Sequence, residues 1–427
     1  MNFKDFDLKN GKTVLIGAVL LIWSAVILSF FVNGYLETWA VWQFPPKMPP
    51  FLDFRLIPGS AETFRSGIDP SIYNPNDPAG RVFNYPKIWY LLFNTGISQD
   101  DTVWMSIVLL VLFFLVVFTF PEKLRVRDSL LLLVIVFSPA SMLLYERGNV
   151  DLIFFILIGL MILTLSRWPA VAIGILSIAS FFKLFPFFAV AGLLQENKKK
   201  FYVLCTASLM IFLLYLVFSI ESLKASWQLT ERGNYFSYGV YIIFDLLRSY
   251  MRYYLLRVVP ETQIQTVLGI VPHLSAFLVL AGVFFLALRQ KISFPTFSER
   301  NLVAFRAGAS IYVGTFLLGN NWNYRLAFLI FAIPQLSQWL FASPAKQRWL
   351  YWGMFAVICV SCWDAIIRYF FLQLFLGDYV FQLSIFDELM NWGMFAGFAF
   401  LLFASAPAWF RSLAWNPFSQ ELSQPIK

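Results

Sequence analysis

The sequence predicts an all-α polytopic integral membrane protein. About 12 transmembrane helices are joined by long outer loops that carry interfacial helices, and residues 1–427 form a single transmembrane domain. Three observations carry that prediction. The chain is 59% apolar and 19% aromatic but only 13% charged. Apolar stretches of about 18 or more residues, long enough to cross a bilayer core, recur along its whole length. The long polar segments between them alternate with short basic ones, as the two faces of a membrane require.

The elements follow in order. The first apolar run, about Thr13 to Val32, comes after a short basic segment with Lys4, Lys9 and Lys12. It is too long for a cleaved signal core and has no A-x-A site, so it reads as an uncleaved span. An outer loop at about 34–102 follows, and its centre, FLDFRLIPGSAETFRSGIDPSIYNPNDPAGRVFNYPKIW (51–89), is rich in Pro, Gly, Asp and Arg. A loop of that length and turn content is functional or disordered. Its aromatics (Phe54, Phe64, Tyr73, Phe83, Tyr85, Trp89) argue for order. Further apolar runs lie near 103–120, 129–145, 150–166, 168–182, 184–195 and 201–220, those at 168–182 and 184–195 being short. A second outer loop at about 221–265 contains an amphipathic stretch at 241–257, read as lying in the interface with Arg248, Arg252 and Arg257 towards headgroups. The remaining runs lie near 266–288, 302–319, 326–341, 350–371 and 389–406, with a small outer loop near 372–388.

The charge distribution orients this chain. With the N-terminus cytoplasmic, Lys123, Arg125, Arg127, Arg167, Lys198 to Lys200, Lys346, Arg348 and Arg411 fall inside, as the positive-inside rule requires. Most acids fall outside, among them Asp53, Asp69, Asp77, Glu146, Asp151, Glu231, Glu261, Asp378 and Asp387. Both termini are then cytoplasmic, and the chemistry belongs to the outer face, where the long loops are. The net charge of +8 meets anionic lipid and is no nucleic-acid signal. The three cysteines lie in apolar runs. Cys359 and Cys362 form a C-x-x-C without a second ligand pair, which reads as helix packing, and no metal is expected.

Candidate site residues are ionisable groups beside apolar runs, where an unpaired charge costs several kcal/mol. Glu146-Arg147-Gly148-Asn149, followed by Asp151, makes a tight turn between two runs. Lys183 sits in SFFKLFP, and Asn323 and Arg325 in NNWNYR. His273, the one histidine, follows Pro272 at the mouth of a span. Asp53 stands where the outer loop leaves the membrane. Plainer readings stand beside these. Arg147 can snorkel, Arg325 can pair with an outside acid such as Asp378, and Asp69 suits an Asx turn. Asp53 can cap a helix, and Arg55, Arg65 and Arg81 can be solvated loop charges. One loop carboxylate with cations at several helix ends suits transfer chemistry on a lipid phosphate ester. The carboxylate takes the proton of an attacking hydroxyl, and Lys and Arg stabilise the departing phosphate. There is no D-x-D and no Walker-type motif, so no nucleotide or tightly held metal is implied.

The order of these patterns resembles a known family. Asp53, GIDPSIYNP, FNYPKIWYLL, the RGN-x-D turn (Arg147 to Asp151) and FKLFP (Lys183 to Pro186), with NYRLAFLIF at 323–331 as weaker support, are similar to the GT-C glycosyltransferases. They look most like glycosyltransferase family 87, the polyprenyl-phosphate-mannose-dependent α-mannosyltransferase-like proteins of bacteria. The resemblance implies a GT-C fold in a bacterial inner membrane, with a polyprenyl-phosphate sugar as donor and a glycolipid or glycan hydroxyl as acceptor. It implies inversion without a metal or other cofactor, with Asp53 as general base; His273, from its own place at the mouth of a span, is the second catalytic candidate. Lys183, Arg147 and Arg325 would bind the donor phosphate, and Asp69, Tyr85, Asn149, Asp151 and Asn323 the substrates. Where the family usually has a G-x-Y pattern, this chain has GIDPSIY, which leaves Asp69 and Tyr73 without a clear counterpart. The rival readings are a multi-span transporter or flippase of lipid-linked sugars and a polysaccharide ligase or polymerase.

Overall fold

The computed structural model describes residues 3–194, 197–230, 233, 235–255, 261–290, 292, 294–295, 298–375 and 380–413. It is almost wholly helical. The long first helix α1 (Phe3–Asn33) and the short α2 (Tyr35–Ala40) meet at Gly34 (φ 90°), and the outer-loop region then contains α3 (Leu56–Arg65) and 3₁₀ helices at Lys87–Thr95 and Gln99–Asp101. There follow α4 (Thr102–Thr119), α5 (Val126–Val136), α6 (Pro139–Arg147), α7 (Asp151–Thr164) and α8 (Pro169–Phe182). A 3₁₀ segment, Phe185–Leu193, leads to α9 (Lys198–Leu229), α10 (Ile242–Leu255), α11 (Glu261–Arg289) and α12 (Glu299–Leu318). The chain closes with a 3₁₀ segment, Asn323–Phe331, and α13 (Ile333–Ala342), α14 (Ala345–Cys362), α15 (Asp364–Phe375), α16 (Val380–Ala404) and α17 (Ala408–Leu413). Two short strands, β1 (Ser237–Tyr238) and β2 (Asn321–Trp322), pair antiparallel.

The helix boundaries follow from local chemistry. Ser138 caps α6, its hydroxyl accepting from the Ser141 amide, and Pro139 opens the first turn. Gly148, left-handed at φ 55°, ends α6, and the Asn149 side chain accepts from the Asp151 amide at 3.0 Å to start α7. Pro169 opens α8, and Lys183, three residues before Pro186, ends it in extended conformation. Ser298 caps α12 through the Asn301 amide.

Among the described residues, six helices are long and apolar enough to span a membrane, and up to nine if three sharply bent pairs each count as one. The bends are 58° between α5 and α6, 55° between the 323–331 segment and α13, and 75° between α14 and α15. The chain is therefore an all-α polytopic membrane protein. Helices α7 and α8 are apolar but of 14 residues each, about 21 Å at 1.5 Å per residue and short of a ~30 Å core. The run expected at 184–195 is a 3₁₀ segment, Phe185–Leu193, rather than an α-helix, with Pro186 in its first turn. Helix α9 runs to Leu229, so the second polar connection begins later than residue 221. Asp387, expected in an outer loop, instead lies buried on α16. Glu231, Arg257 and Asp378 lie outside the described residues, as do the side chains of Lys4, Lys9, Arg252 and Glu261.

The helices pack through aromatic contacts, such as Phe113 with Phe155 and Phe155 with Phe331, each at 4.2 Å between centroids. Hydrogen bonds gather at two separate groups of helix ends. In one, Asn301 receives from the Glu122 amide at 3.0 Å and donates to the Lys123 carbonyl at 3.1 Å. Gln338 also donates to the Lys123 carbonyl, and Ser129 to the Gly11 carbonyl. The other group holds the sequence's candidate residues.

Candidate functional site

The site is built around the α6–α7 turn. In its tight RGN sequence the Arg147 carbonyl receives the amide of Asp53 at 3.0 Å, which ties the start of the outer loop to the turn. The Asn149 side chain then links the Asp53 carboxylate to the backbone at Asp151. Its Nδ2 donates to Asp53 Oδ2 at 2.8 Å, while its Oδ1 accepts from the backbone amide of Asp151. Gly148 makes this approach possible: a Cβ there would lie 2.9 Å from Phe51 Cβ, in a backbone conformation that L residues rarely adopt. Arg147 itself faces Glu146 at 3.3 Å and donates to the Pro45 carbonyl at 2.9 Å. Its guanidinium thus fastens the first part of the outer loop, at Pro45, and it meets Asp53 through its backbone carbonyl.

The outer loop grips Asp53 from the other side. Arg81 Nη1 donates to Asp53 Oδ1 at 3.0 Å, with both side chains about a quarter exposed. Arg81 is held in turn by Asp77, whose side chain is fully buried, and by the Leu52 carbonyl. The segment is fastened to α3 through buried Asn74, which accepts from Thr63 and donates to Ser60. Trp89 anchors the far end of the loop by donating to the Phe182 carbonyl, next to Lys183.

Beyond Asn149 lies a second charge centre. Asp151, fully buried at the start of α7, receives Lys183 Nζ on Oδ1 at 2.6 Å and Arg325 Nε on Oδ2 at 3.0 Å. Lys183 and Arg325 keep about 15% of their side chains exposed. Arg325 also donates to Asn321 of β2 and stacks over Phe185, 4.8 Å from its centroid. Lys183 Nζ lies 5.3 Å from the Tyr85 ring centroid, with Phe154 and Phe185 also within 6 Å. Tyr85 packs on Trp89 and so brings the outer loop over the cations.

Asp53, Tyr85, Asn149, Asp151, Lys183 and Arg325 are therefore brought together, with Arg147 contributing backbone. Other residues stand apart. Asp69 forms an Asx turn with the Ser71 amide (2.9 Å) and accepts from the Tyr90 hydroxyl (2.9 Å). Partial burial works against its ionisation, but the Ser71 and Tyr90 hydrogen bonds prevail and hold its carboxyl below the ordinary value. Tyr90 is pushed up to about 12 by burial and by its bond to Asp69. His273 is exposed on α11, beside Tyr241 at 3.3 Å, and none of its described contacts reaches Asp53 or Asp151. Asn323 is buried, and its amide donates to the Phe236 carbonyl, joining the β ribbon to the Arg325 segment.

Sequence reasoning undervalued Arg81 and Asp77, whose pairing four residues apart in NDPAGR was the available signal. It also missed a buried polar group between α15 and α16. There Arg368 donates to Asp364 at 2.7 Å and to Ser384 at 2.6 Å, near buried Asp387 and Glu388. Asp364 lies inside the apolar run 350–371 and Glu388 just before the run 389–406, with no flanking motif to mark either. No family model matches the chain, and neither a curated protein nor a solved structure does.

Proposed function

We propose that the chain is an integral-membrane glycosyltransferase of the GT-C type, similar to family 87, with twelve crossings and its site on the outer face of a bacterial inner membrane. It transfers a sugar, a hexose such as mannose, from a polyprenyl-phosphate donor to a hydroxyl of a glycolipid or glycan. The observation that supports this reading is the pair of unlike charge centres joined by Asn149. On one side stands a solvent-reachable carboxylate, Asp53, and on the other two cations share the single carboxylate of Asp151.

The charges fit the chemistry. Lys183 and Arg325 against Asp151 leave one positive charge in excess, which matches the single negative charge of a phosphodiester donor. As the acceptor oxygen bonds to the anomeric carbon, the bond from that carbon to the phosphate oxygen breaks. The phosphate leaves with one more negative charge than it had as a diester. Lys183 and Arg325 are placed to stabilise that developing charge, which is worth most in a partly buried site. Asp53 takes the hydroxyl proton on the opposite side, giving inversion at the sugar carbon. Tyr85, backed by buried Trp89, supplies aromatic surface beside Lys183.

The test uses purified protein in liposomes with radiolabelled polyprenyl-phosphate hexoses. Wild type consumes one of them and releases polyprenyl phosphate. Asp53→Asn, which is nearly isosteric but can accept from only one of Arg81 and Asn149, is expected to lose about 10²–10⁴-fold in rate. A folded Asp53→Asn protein with full transfer would sink the reading. The second reading, a transporter or flippase of lipid-linked sugars, is favoured by buried Asp364, Asp387 and Glu388 on helices that cross or turn within the membrane. It predicts vesicle flux that fails in Asp387→Asn while the labelled donor stays intact. A polysaccharide ligase or polymerase would share the site but take its growing chain from a lipid diphosphate.

A further inference from the structure

We infer that Arg81 is a positioning residue for Asp53, fixed by Asp77 and not available to substrate phosphate; this rests on the reading of Asp53 as the base. Guanidinium offers five N–H donors in a rigid plane. In Arg81, Nε donates to Asp77 Oδ2 at 3.1 Å, Nη2 to Asp77 Oδ1 at 3.0 Å and to the Leu52 carbonyl at 2.6 Å, and Nη1 to Asp53 Oδ1 at 3.0 Å. Only one N–H, on Nη1, remains without a protein acceptor. A solvated loop charge does not spend its donors this way, and an arginine that moves to clamp a phosphate cannot be bolted along one edge to a buried carboxylate.

The bolt is itself built into the loop. Asp77 Oδ2 also accepts the backbone amides of Ala79 (3.2 Å) and Arg81 (2.8 Å), so one buried oxygen fixes both the turn and the side chain it carries. Gly80, at φ 66°, allows that turn. Asn74 donates to the Arg81 carbonyl and is anchored on α3. The result is a two-sided hold on Asp53. Arg81 takes Oδ1 from the outer loop, and Asn149 takes Oδ2 from the α6–α7 turn. Each carboxylate oxygen keeps a further lone pair, so the acceptor hydroxyl can still bond to it. The orientation of the base is then set from two sides, by the Asp77–Arg81 turn of the outer loop and by the α6–α7 turn. Misplacing a reacting group by about 1 Å costs up to 10²-fold in rate.

The prediction separates positioning from phosphate binding. With the radiolabelled polyprenyl-phosphate hexose that wild type consumes, Arg81→Gln is expected to lower kcat tenfold or more, on the order of the misplacement cost. Its KM for the donor should stay within about twofold, since no transition-state-independent contact is lost. Asp77→Asn should lower kcat in the same way, and the double variant should be no worse than the more damaged single one, because Asp77 acts through Arg81. Arg81→Lys, which keeps the charge but not the planar fork, serves if Arg81→Gln does not fold, and should retain donor KM with an intermediate kcat. A loss that appears as raised donor KM, a kcat unchanged in Arg81→Gln or Arg81→Lys, or additive effects of the two single variants each overturns the inference. Asp53→Asn is run in parallel. If it is active the base reading itself has failed, whereas an inactive Asp53→Asn with a fully active Arg81→Gln refutes only the role of Arg81.

Discussion

At the scale of single residues the energetic centre of the site is Asp151. Its buried carboxylate is the shared counter-charge of Lys183 and Arg325. Removing one member of a buried ion cluster leaves the others uncompensated, and such losses run to about 3–5 kcal/mol. Asp151→Asn is therefore expected to be destabilised by about that amount, read as a lowered melting temperature of the detergent-purified protein. Asp151→Glu keeps the charge and should sit between the two. An Asp151→Asn protein as stable as wild type would show that the cations are hydrated and need no partner. Each of these residues was visible in the sequence, because an ionisable group beside an apolar run is costly wherever it stands. Their partners were not. The plainer reading of Arg325 pairs it with an outside acid, Asp378 being the example; the acid it meets is Asp151, also counted among the outside acids but 174 residues earlier in the chain. Which acid meets which base is set by helix packing, and no local pattern encodes it.

At the scale of elements the α6–α7 turn does the most, since it carries Asn149 and presents the Arg147 carbonyl to Asp53. The sequence showed this turn as RGN-x-D, and the bend could be read from Gly148 and the absence of any linker. What it could not show is that Phe51 and Ser106 close over the glycine, with distances from a built Cβ of 2.9 and 3.1 Å. Gly148→Ala combines that collision with a left-handed backbone, which alone costs an L residue roughly 1–2 kcal/mol. It is expected to lower the melting temperature and to reduce transfer by shifting Asn149 away from Asp53. Gly174, in the middle of α8 with nothing within 4 Å of a built Cβ, provides the contrast. Gly174→Ala should be neutral or stabilising, because alanine is the better helix former by up to ~1 kcal/mol. Equal effects at the two positions would mean that the turn is not under steric constraint. The 3₁₀ segment 185–193 was the least legible element. Its composition is apolar enough for an ordinary span, and Pro186 marks only where it starts.

At the scale of the whole molecule the open matter is how many times the chain crosses, and the short elements decide it. Composition alone established the membrane class, and six long helices with three bent pairs agree with it. Crossing counts are harder because α7, α8 and the 185–193 segment are each thinner than a bilayer core, the last about 18 Å for nine residues at 3₁₀ rise. Among the described residues, with each bent pair taken as one crossing, the total is twelve if all three cross, and the two ends of the described chain then share a face. If none does, it is nine and they lie on opposite faces. The hydrogen-bond pattern leans on the first: Lys183, just before the 185–193 segment, meets Asp151, while Leu194, just after it, accepts from Arg306, which also donates to the Ser405 carbonyl. With twelve crossings and the orientation proposed above, Arg167, exposed between α7 and α8, would face the cytoplasm, and Tyr73, 62% exposed in the first polar loop, would face outward. With Cys205, Cys359 and Cys362 replaced by alanine, Tyr73→Cys should react with a membrane-impermeant maleimide in intact spheroplasts. Arg167→Cys should react only after permeabilisation. Labelling of Arg167→Cys in intact spheroplasts would reverse the orientation of the α7–α8 hairpin. Failure to label it under either condition would place that hairpin within the bilayer and reduce the number of crossings.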